Sequence, residues 1–245
     1  MIASALHVFR PPADRGAATQ YNRPMSGESL DALALSVRVA VLATLVNAVL
    51  GIPLAWALAR RRFRGRGAVD LLVTLPLVLP PTVTGYYLIV LLGRRGWLGA
   101  PLYAATGWTV AFTWHAAVIA ATFMALPLLV RTARAAIESV DRDLEKAART
   151  LGRPEWRVAL EVTLPLARNG ILAGLVLAFA RALGEFGATL MLAGNIPGRT
   201  QTVPLAIYTA VQTGESAEAL ALVVVLTLVS CLVLLAAGRL GARAA

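Results

Sequence analysis

The chain has 245 residues, 58% hydrophobic and 15% charged, with a formal net charge of +10 at neutral pH. An ordinary soluble domain is excluded: the apolar residues fall in blocks of about 20 or more, long enough to cross a hydrocarbon core of roughly 30 Å. A basic balance suits nucleic acid in a soluble protein, but these arginines sit between apolar blocks, where they serve as topology signals and headgroup contacts.

Residues 1–29 mix Pro, Gly, Arg, Asp and Asn without periodicity and read as a flexible tail. They lack the basic-then-apolar order of a cleaved signal peptide. A short amphipathic start over 30–37 is compatible with an interfacial approach to the first span, which covers about 33–59. Arg38 lies near one end of that span and reads as snorkelling to headgroups. Asn47 is polar within it, and Pro53 is a candidate kink. The dense basic loop Arg60-Arg61-Arg62-Phe63-Arg64-Gly65-Arg66 is expected on the cytoplasmic side.

The second span, about 69–92, contains LPLVLPPTVTGYY. Pro76, Pro80 and Pro81 remove backbone donors and bend or break the helix, which is tolerated where it packs in protein or lines a path. Thr82 and Thr84 read first as partners for the freed carbonyls and second as lining for a polar solute. A loop at 93–107 carries Trp97 and Tyr103, with Trp108 just beyond, as interface anchors and is placed outside. The third span covers about 109–130. Its His115 reads as a hydrogen-bonded packing residue rather than a proton carrier, because no second titratable group accompanies it.

The loop at 131–168 is strongly basic and is expected in the cytoplasm. Within it, DRDLEKAARTLGRPEWRVALEVTLP (141–165) reads as helix, tight break, helix. Gly152 suits a helix end because it adopts positive φ without a Cβ clash, and Pro154 suits a first helical turn. Ala147, Ala148 and Gly152 are small enough for a foreign residue to come close. The fourth span covers about 170–192. Arg181 and Glu185 stand four apart and pair on one helix face turned into the bundle, with the structural ion pair ranked above a substrate contact. Gly184 and Gly187 permit close helix approach, and Thr189 is a further bundle-interior polar candidate. Residues 194–216 are placed outside, with an interfacial or re-entrant helix at 203–211. The last span covers about 217–238, and there Cys231 reads as a small buried apolar side chain. The expected fold is all-α: five transmembrane helices, N-terminus outside, C-terminus cytoplasmic. No phosphate loop, nucleophile elbow or metal spacing is present, so this chain is expected to be non-catalytic.

The spacing Ala147-Ala148, Gly152, Val162-x-Leu164-Pro165 resembles the EAA loop of ABC importer permeases, in which the loop forms a coupling helix that fits a groove on a cytoplasmic ATPase. The resemblance covers residues 30–237. Where the family most often has Glu before the two alanines, this chain has Lys146, with Glu145 one place earlier; docking by shape is expected, and the contact of that Glu is not carried over. LPLVLPPTVTGYYLIVLLGRRGWLG and FARALGEFGATLMLAGNIPGRTQTVPLAIYT are similar to the molybdate permease branch, with the sulfate/thiosulfate permeases as the sister branch.

The resemblance implies a type I ABC importer transmembrane domain over 30–240 in a bacterial inner membrane. It implies ATPase-coupling residues Glu145, Lys146, Ala147, Ala148, Gly152, Leu164 and Pro165. The implied partners are a second copy of the chain, two cytoplasmic ATPase subunits, an extracytoplasmic oxyanion-binding protein and the lipid bilayer, with no nucleic acid. No cofactor is expected on this chain; ATP and Mg belong to the ATPase. Tungstate or sulfate/thiosulfate is the alternative cargo. An intramembrane enzyme built on His115 and Glu185, and a channel or secondary transporter working without an ATPase, are the readings from other classes.

Overall fold

The computed structural model describes the backbone of residues 27–242 and the side chains of residues 27–235. The elements are helical: α1 (Gly27–Arg60), α2 (Arg66–Val78), α3 (Pro81–Leu92), α4 (Gly99–Thr106), α5 (Trp114–Glu138) and α6 (Arg142–Thr150) come first. After them come α7 (Glu155–Val158), a π-turn (Ala159–Thr163), α8 (Leu164–Leu166), α9 (Arg168–Leu183), α10 (Gly187–Ala193), α11 (Val203–Thr213) and α12 (Ser216–Ala242). Most of the expected tail lies outside the described residues, and Gly27–Ser29 already belong to α1, which shows no separate interfacial start.

Side-chain contacts fix the direction of each segment. The hydroxyl of Ser29 donates to Glu218, so α1 and α12 begin at one end. Arg38 stacks on Trp114, which places the start of α5 there too. At the opposite end Arg60 reaches Val140 and Glu145, beyond the end of α5. Arg66 meets Glu138 and Arg134 meets Asp70, so α2 starts where α5 stops. A Cβ on Gly170 would meet Ala136, and one on Gly174 would meet Leu129, so α9 runs antiparallel to α5. We call the end that holds α6 the lever end and the other the far end.

Three helices, Gly27–Arg60, Trp114–Glu138 and Ser216–Leu235, are long and apolar enough to cross a membrane, and Glu155–Leu166 with Arg168–Leu183 forms a fourth candidate bent by 77°. The second expected span breaks at Leu79-Pro80, as its prolines require, into α2 and the short apolar α3. The fourth breaks too, against expectation. Gly184 ends α9, Glu185 and Phe186 are non-helical, and α10 restarts at Gly187. The expected loop at 93–107 contains α4, closed by Gly107 in the left-handed region.

The core is built from small side chains. Ala40, Ala43 and Ala55 of α1 and Ala116, Ala117, Ala120, Ala121 and Ala125 of α5 are fully buried, and Leu58, Leu129 and Ile137 fill the spaces between helices. Close backbone approach of this kind maximises dispersion contact where no water drives association. Gly85 of α3 lies against α10 so tightly that a Cβ would sit 2.7 Å from Met191 Cβ and 2.9 Å from Ala188 Cα; one on Gly187 would sit 2.9 Å from Pro81 Cβ. Gly184 has no such neighbour beyond its own preceding turn, so it ends a helix rather than admitting one.

Two side chains depart from their expected setting. Cys231 is exposed, because only 11% of the span window of α12 is buried. His115 is exposed in the first turn of α5, stacked on Trp114 at 3.7 Å and edge-on to Trp108 at 5.5 Å, with aromatic contact in place of the expected hydrogen bond. Asn47 is fully buried, and neither of its amide atoms has a partner among the described residues. Replacing Gly85 by Ala is expected to force α3 and α10 apart and cost about 1–3 kcal/mol. The check is the thermal midpoint of the detergent-solubilised protein, and an unchanged midpoint would contradict the close packing.

Candidate functional site

The stretch after α5 turns sharply because its residues cap well. Asp141 is the N-cap of α6, its carboxylate accepting from Asp143 N at 2.9 Å. At the other end Gly152 takes φ +82°, Gly152 N donates to Arg149 O (2.9 Å) and Arg153 N donates to Ala148 O (3.2 Å). That paired pattern is a Schellman close, which needs a residue free to enter the left-handed region. Pro154 then stands just before α7 rather than within its first turn.

The next irregularity also has a sequence cause. Pro165 has no N–H and its ring crowds the preceding turn, and immediately before Leu164-Pro165 the helix widens into the π-turn Ala159–Thr163. Such bulges re-aim side chains. Here the Thr163 hydroxyl, 1% exposed, donates to Glu145 Oε1 at 2.7 Å.

Glu145 is the centre of this end of the molecule. It is 3% exposed, and its Oε1 lies 2.9 Å from Arg60 Nε. Arg60 Nη2 donates to Val140 O at 2.8 Å. Arg149 Nη2 lies 3.6 Å from Glu145 Oε2, while its Nε bonds Glu155 at 2.6 Å. A buried charge is costly unless paired and fully bonded, and this carboxylate has two guanidinium groups and a hydroxyl. The network fastens α6 to the end of α1 and to the π-turn.

The other face of α6 is uncovered. Lys146 and Ala147 are exposed and Ala148 is half-buried; Leu144 and Leu151 are 50% and 83% exposed. Gly152 has nothing within 4 Å of where a Cβ would stand. Lys146 bonds Asp143 at 2.7 Å on the surface, and its ammonium holds the Asp143 carboxyl below the usual carboxylate range. The stabilisation is fully present above the ordinary Asp range and is lost as pH falls from there through the lowered folded value. Glu155 holds the Arg149 guanidinium above its ordinary value, so Arg149 stays charged throughout. A cleft of about 370 Å³ between α1 and α6 is lined by Arg60, Arg61, Arg142, Lys146 and Arg149, with Glu145 and Glu155 opposing them. Leu164 packs on the core and Pro165 is exposed.

The remaining candidates form a separate cluster. Arg181 lies 13 residues after Arg168 on α9, which corresponds to about 20 Å along the helix axis. Its Nη1 is 2.7 Å from Glu185 Oε2, and Glu185 Oε1 accepts from Ala188 N at 2.7 Å. The pair therefore bridges a helix break: Glu185, 2% exposed, neutralises Arg181 and caps the start of α10. Thr189 is buried on α10. Thr84 is buried with its hydroxyl unpartnered among the described residues and Thr82 is exposed; neither bonds a carbonyl freed by the prolines. His115 and Glu185 have different partners, and no bond joins them.

Arg60 and Thr163 were not singled out in sequence. Arg60 is one of a run of basic residues with no local mark to separate it, and Thr163 is aimed only by the π-turn. The usable signal is Glu145 itself, which shares a helix face with Ala148 and so demands a cation from elsewhere.

The pattern of binding-protein-dependent transport system inner membrane components matches residues 49–244. The molybdenum transport system permease protein ModB of Escherichia coli K12 is 53% identical over 190 residues, covering 77% of this chain and 83% of that protein. ModB of Haemophilus influenzae is 46% identical over 207 residues, with coverage of 83% and 90%. A putative molybdenum transport permease of Bacillus subtilis is 42% identical over 209 residues, with coverage of 85% and 92%. In fold, the chain resembles the inward-facing MetNI methionine ABC transporter (TM-score 0.66, 18% identity, 90% of this chain and 100% of that one). It also resembles a bacterial ABC transporter for import of the polysaccharide alginate (TM-score 0.73, 18% identity, 99% and 88%).

Glu145→Gln is expected to leave Arg60 buried without its counter-charge and cost about 3–5 kcal/mol. Replacing Arg60 and Glu145 together by Met is expected to cost less than the single change, because no charge is stranded. Thermal midpoints of both variants check this; equal losses would mean that the pair is not coupled. The anchored helix, the broken and tightly packed membrane segments and the close relatives agree, and the chain belongs to the family of binding-protein-dependent transport system inner membrane components, among the molybdenum transport permeases.

Proposed function

We propose that this chain is the translocation subunit of an ATP-driven importer for molybdate. The observation that carries the reading is the helix Arg142–Thr150, rigidly held on one face by Glu145 and uncovered on the other. The exposed Leu144 and Ala147 of this nine-residue helix, with Leu151 at its C-cap, form a docking surface. A soluble ATPase that closes on ATP and Mg would move it, and Arg60 and Thr163 would pass the displacement to α1 and α9. The choice of oxyanion follows from the relatives. Tungstate has the same charge and nearly the same size and is expected to compete.

In this reading α1, α2–α3, α5, α9–α10 and α12 are five membrane crossings. The lever end faces the cytoplasm, the chain starts outside and its C-terminus lies inside. The shared direction of α1, α5 and α12 supports this, as does the run of arginines at 60–66 on the lever end. A second copy of the chain completes the path, with the exposed Tyr86, Tyr87 and Val90 of α3 among the surfaces available to it. An extracytoplasmic binding protein delivers the anion to the far end, and two ATPase subunits engage the paired levers.

The test is ATP-driven molybdate uptake by proteoliposomes holding the permease, its ATPase and its binding protein. Gly152→Glu places a charged side chain at φ +82° on the uncovered knuckle. It is expected to reduce uptake at least about tenfold, with loss of ATPase co-purification. Full uptake and intact docking would overturn the lever assignment; uptake without ATPase would favour a channel or secondary transporter.

A further inference from the structure

A second cleft, of about 220 Å³, lies at the far end, where α1, the start of α5 and the loop after α10 meet. Asp31, Arg38, Trp114, Arg199 and Gln201 line it. At roughly 30 Å³ per water, the space holds about seven waters, which accommodates a four-oxygen anion and part of its hydration shell.

Among the described residues neither Arg38 nor Arg199 forms an ion pair, so neither guanidinium of this cleft is neutralised by direct contact with a carboxylate. Arg38 holds its guanidinium carbon 4.0 Å above the centroid of a Trp114 ring. Stacking occupies the face of the guanidinium and leaves its in-plane N–H donors for a planar or tetrahedral oxyanion.

Arg199 comes from a pinned loop rather than a loose one. Gln201, 7% exposed, donates to Asn195 Oδ1 at 2.9 Å, and Asn195 donates to Thr209 at 2.8 Å. The fully buried Thr200 accepts from Ile196 N, and Val203 N donates to the buried Ser36 of α1 at 2.7 Å. Asp31 is the opposing charge in the cleft, so two guanidinium groups face one carboxylate.

We propose that this cleft binds a tetrahedral oxyanion through Arg38 and Arg199. Two sources present that chemistry at the far end: the phosphate of an anionic phospholipid and a free dianion such as molybdate. The site rests on the cleft and its charges alone; that the far end meets outer-leaflet headgroups and incoming anion rests on the orientation proposed above.

Trp114 serves as the reporter. The full-length permease in phosphatidylcholine nanodiscs is titrated with sodium molybdate, and, in separate discs, phosphatidylglycerol is raised from zero, with sodium chloride at matched ionic strength as control. A saturable change in tryptophan fluorescence is expected for at least one probe, absent in W114F. It is expected to weaken at least about tenfold in the R38Q/R199Q double variant and to tighten in D31N, a change that adds net positive charge without removing a contact described for the fold. A response to molybdate assigns a free-anion site; a response to phosphatidylglycerol alone assigns a headgroup site. No saturable response to either probe, or one equal in chloride or unchanged in the double variant, overturns the proposal. Binding lost while ATP-driven uptake persists in the wild-type complex removes this site and leaves the transport reading standing.

Discussion

One buried ion pair fixes how the short helix α6 is held against the rest of the molecule. Arg60 closes the first helix and Glu145 sits on the short helix α6, 85 positions later, with 2.9 Å between them and almost no solvent contact. Nine residues make a helix too short to persist alone in water. The capping by Asp141 and the Gly152 turn define the ends of α6, but they do not say where it points. The ion pair does. Its desolvation cost is offset in part by the Thr163 hydroxyl and the nearby Arg149 guanidinium on the carboxylate side and by the bond from Arg60 Nη2 to Val140 O on the other. These contacts tie α6 to α1 through Arg60 and, through Thr163, to a π-turn followed by a 77° bend into α9.

Away from the lever, the two broken segments lean on each other. The break at Leu79-Pro80 and the break at Gly184–Phe186 stand side by side, because Gly187 lies against Pro81 and Thr82 while Gly85 lies against Ala188 and Met191. Free backbone groups at such breaks are tolerated only inside protein or beside water. Glu185 shows how one is resolved: its carboxylate takes the Ala188 N–H at the start of α10 and holds Arg181 from the end of α9. The two half-helices α3 and α10 thus form a unit seated on α5, and Phe112 ties it to the far end by donating its N–H to Leu192 O from a left-handed conformation rare for a bulky residue.

Features decided within a few residues were legible in the sequence. The Gly152 turn, the helix break at the prolines and the Arg181–Glu185 pairing all follow from local backbone chemistry. Features decided across the fold were not. Nothing near Arg60 marks it as the one arginine of its run that turns inward, and Thr163 reaches Glu145 only because Pro165 widens the helix. The break at Gly184–Phe186 was hidden because glycines beside an i,i+4 ion pair also fit an unbroken, closely packed helix. His115 and Cys231 were misplaced for a different reason. An apolar neighbourhood in sequence does not say whether a helix face meets protein or lipid, and both residues lie on uncovered surface.

The same division explains the departure at position 146. In the folded chain the carboxylate that pairs with Arg60 is that of Glu145, which faces inward and shares its helix face with Ala148. Residue 146 faces outward; Lys146 is 69% exposed and pairs with Asp143, itself 78% exposed. Exposed pairs of this kind contribute little to stability. The sign of the charge at 146 is therefore not set by the fold, whereas that at 145 is. A charge that the fold does not require, placed beside the exposed Ala147 and Leu144 on a helix fixed from behind, is free to follow whatever surface this helix meets. Lys146 puts a positive charge on the uncovered face of α6 and takes no part in the bonds that hold the helix from behind.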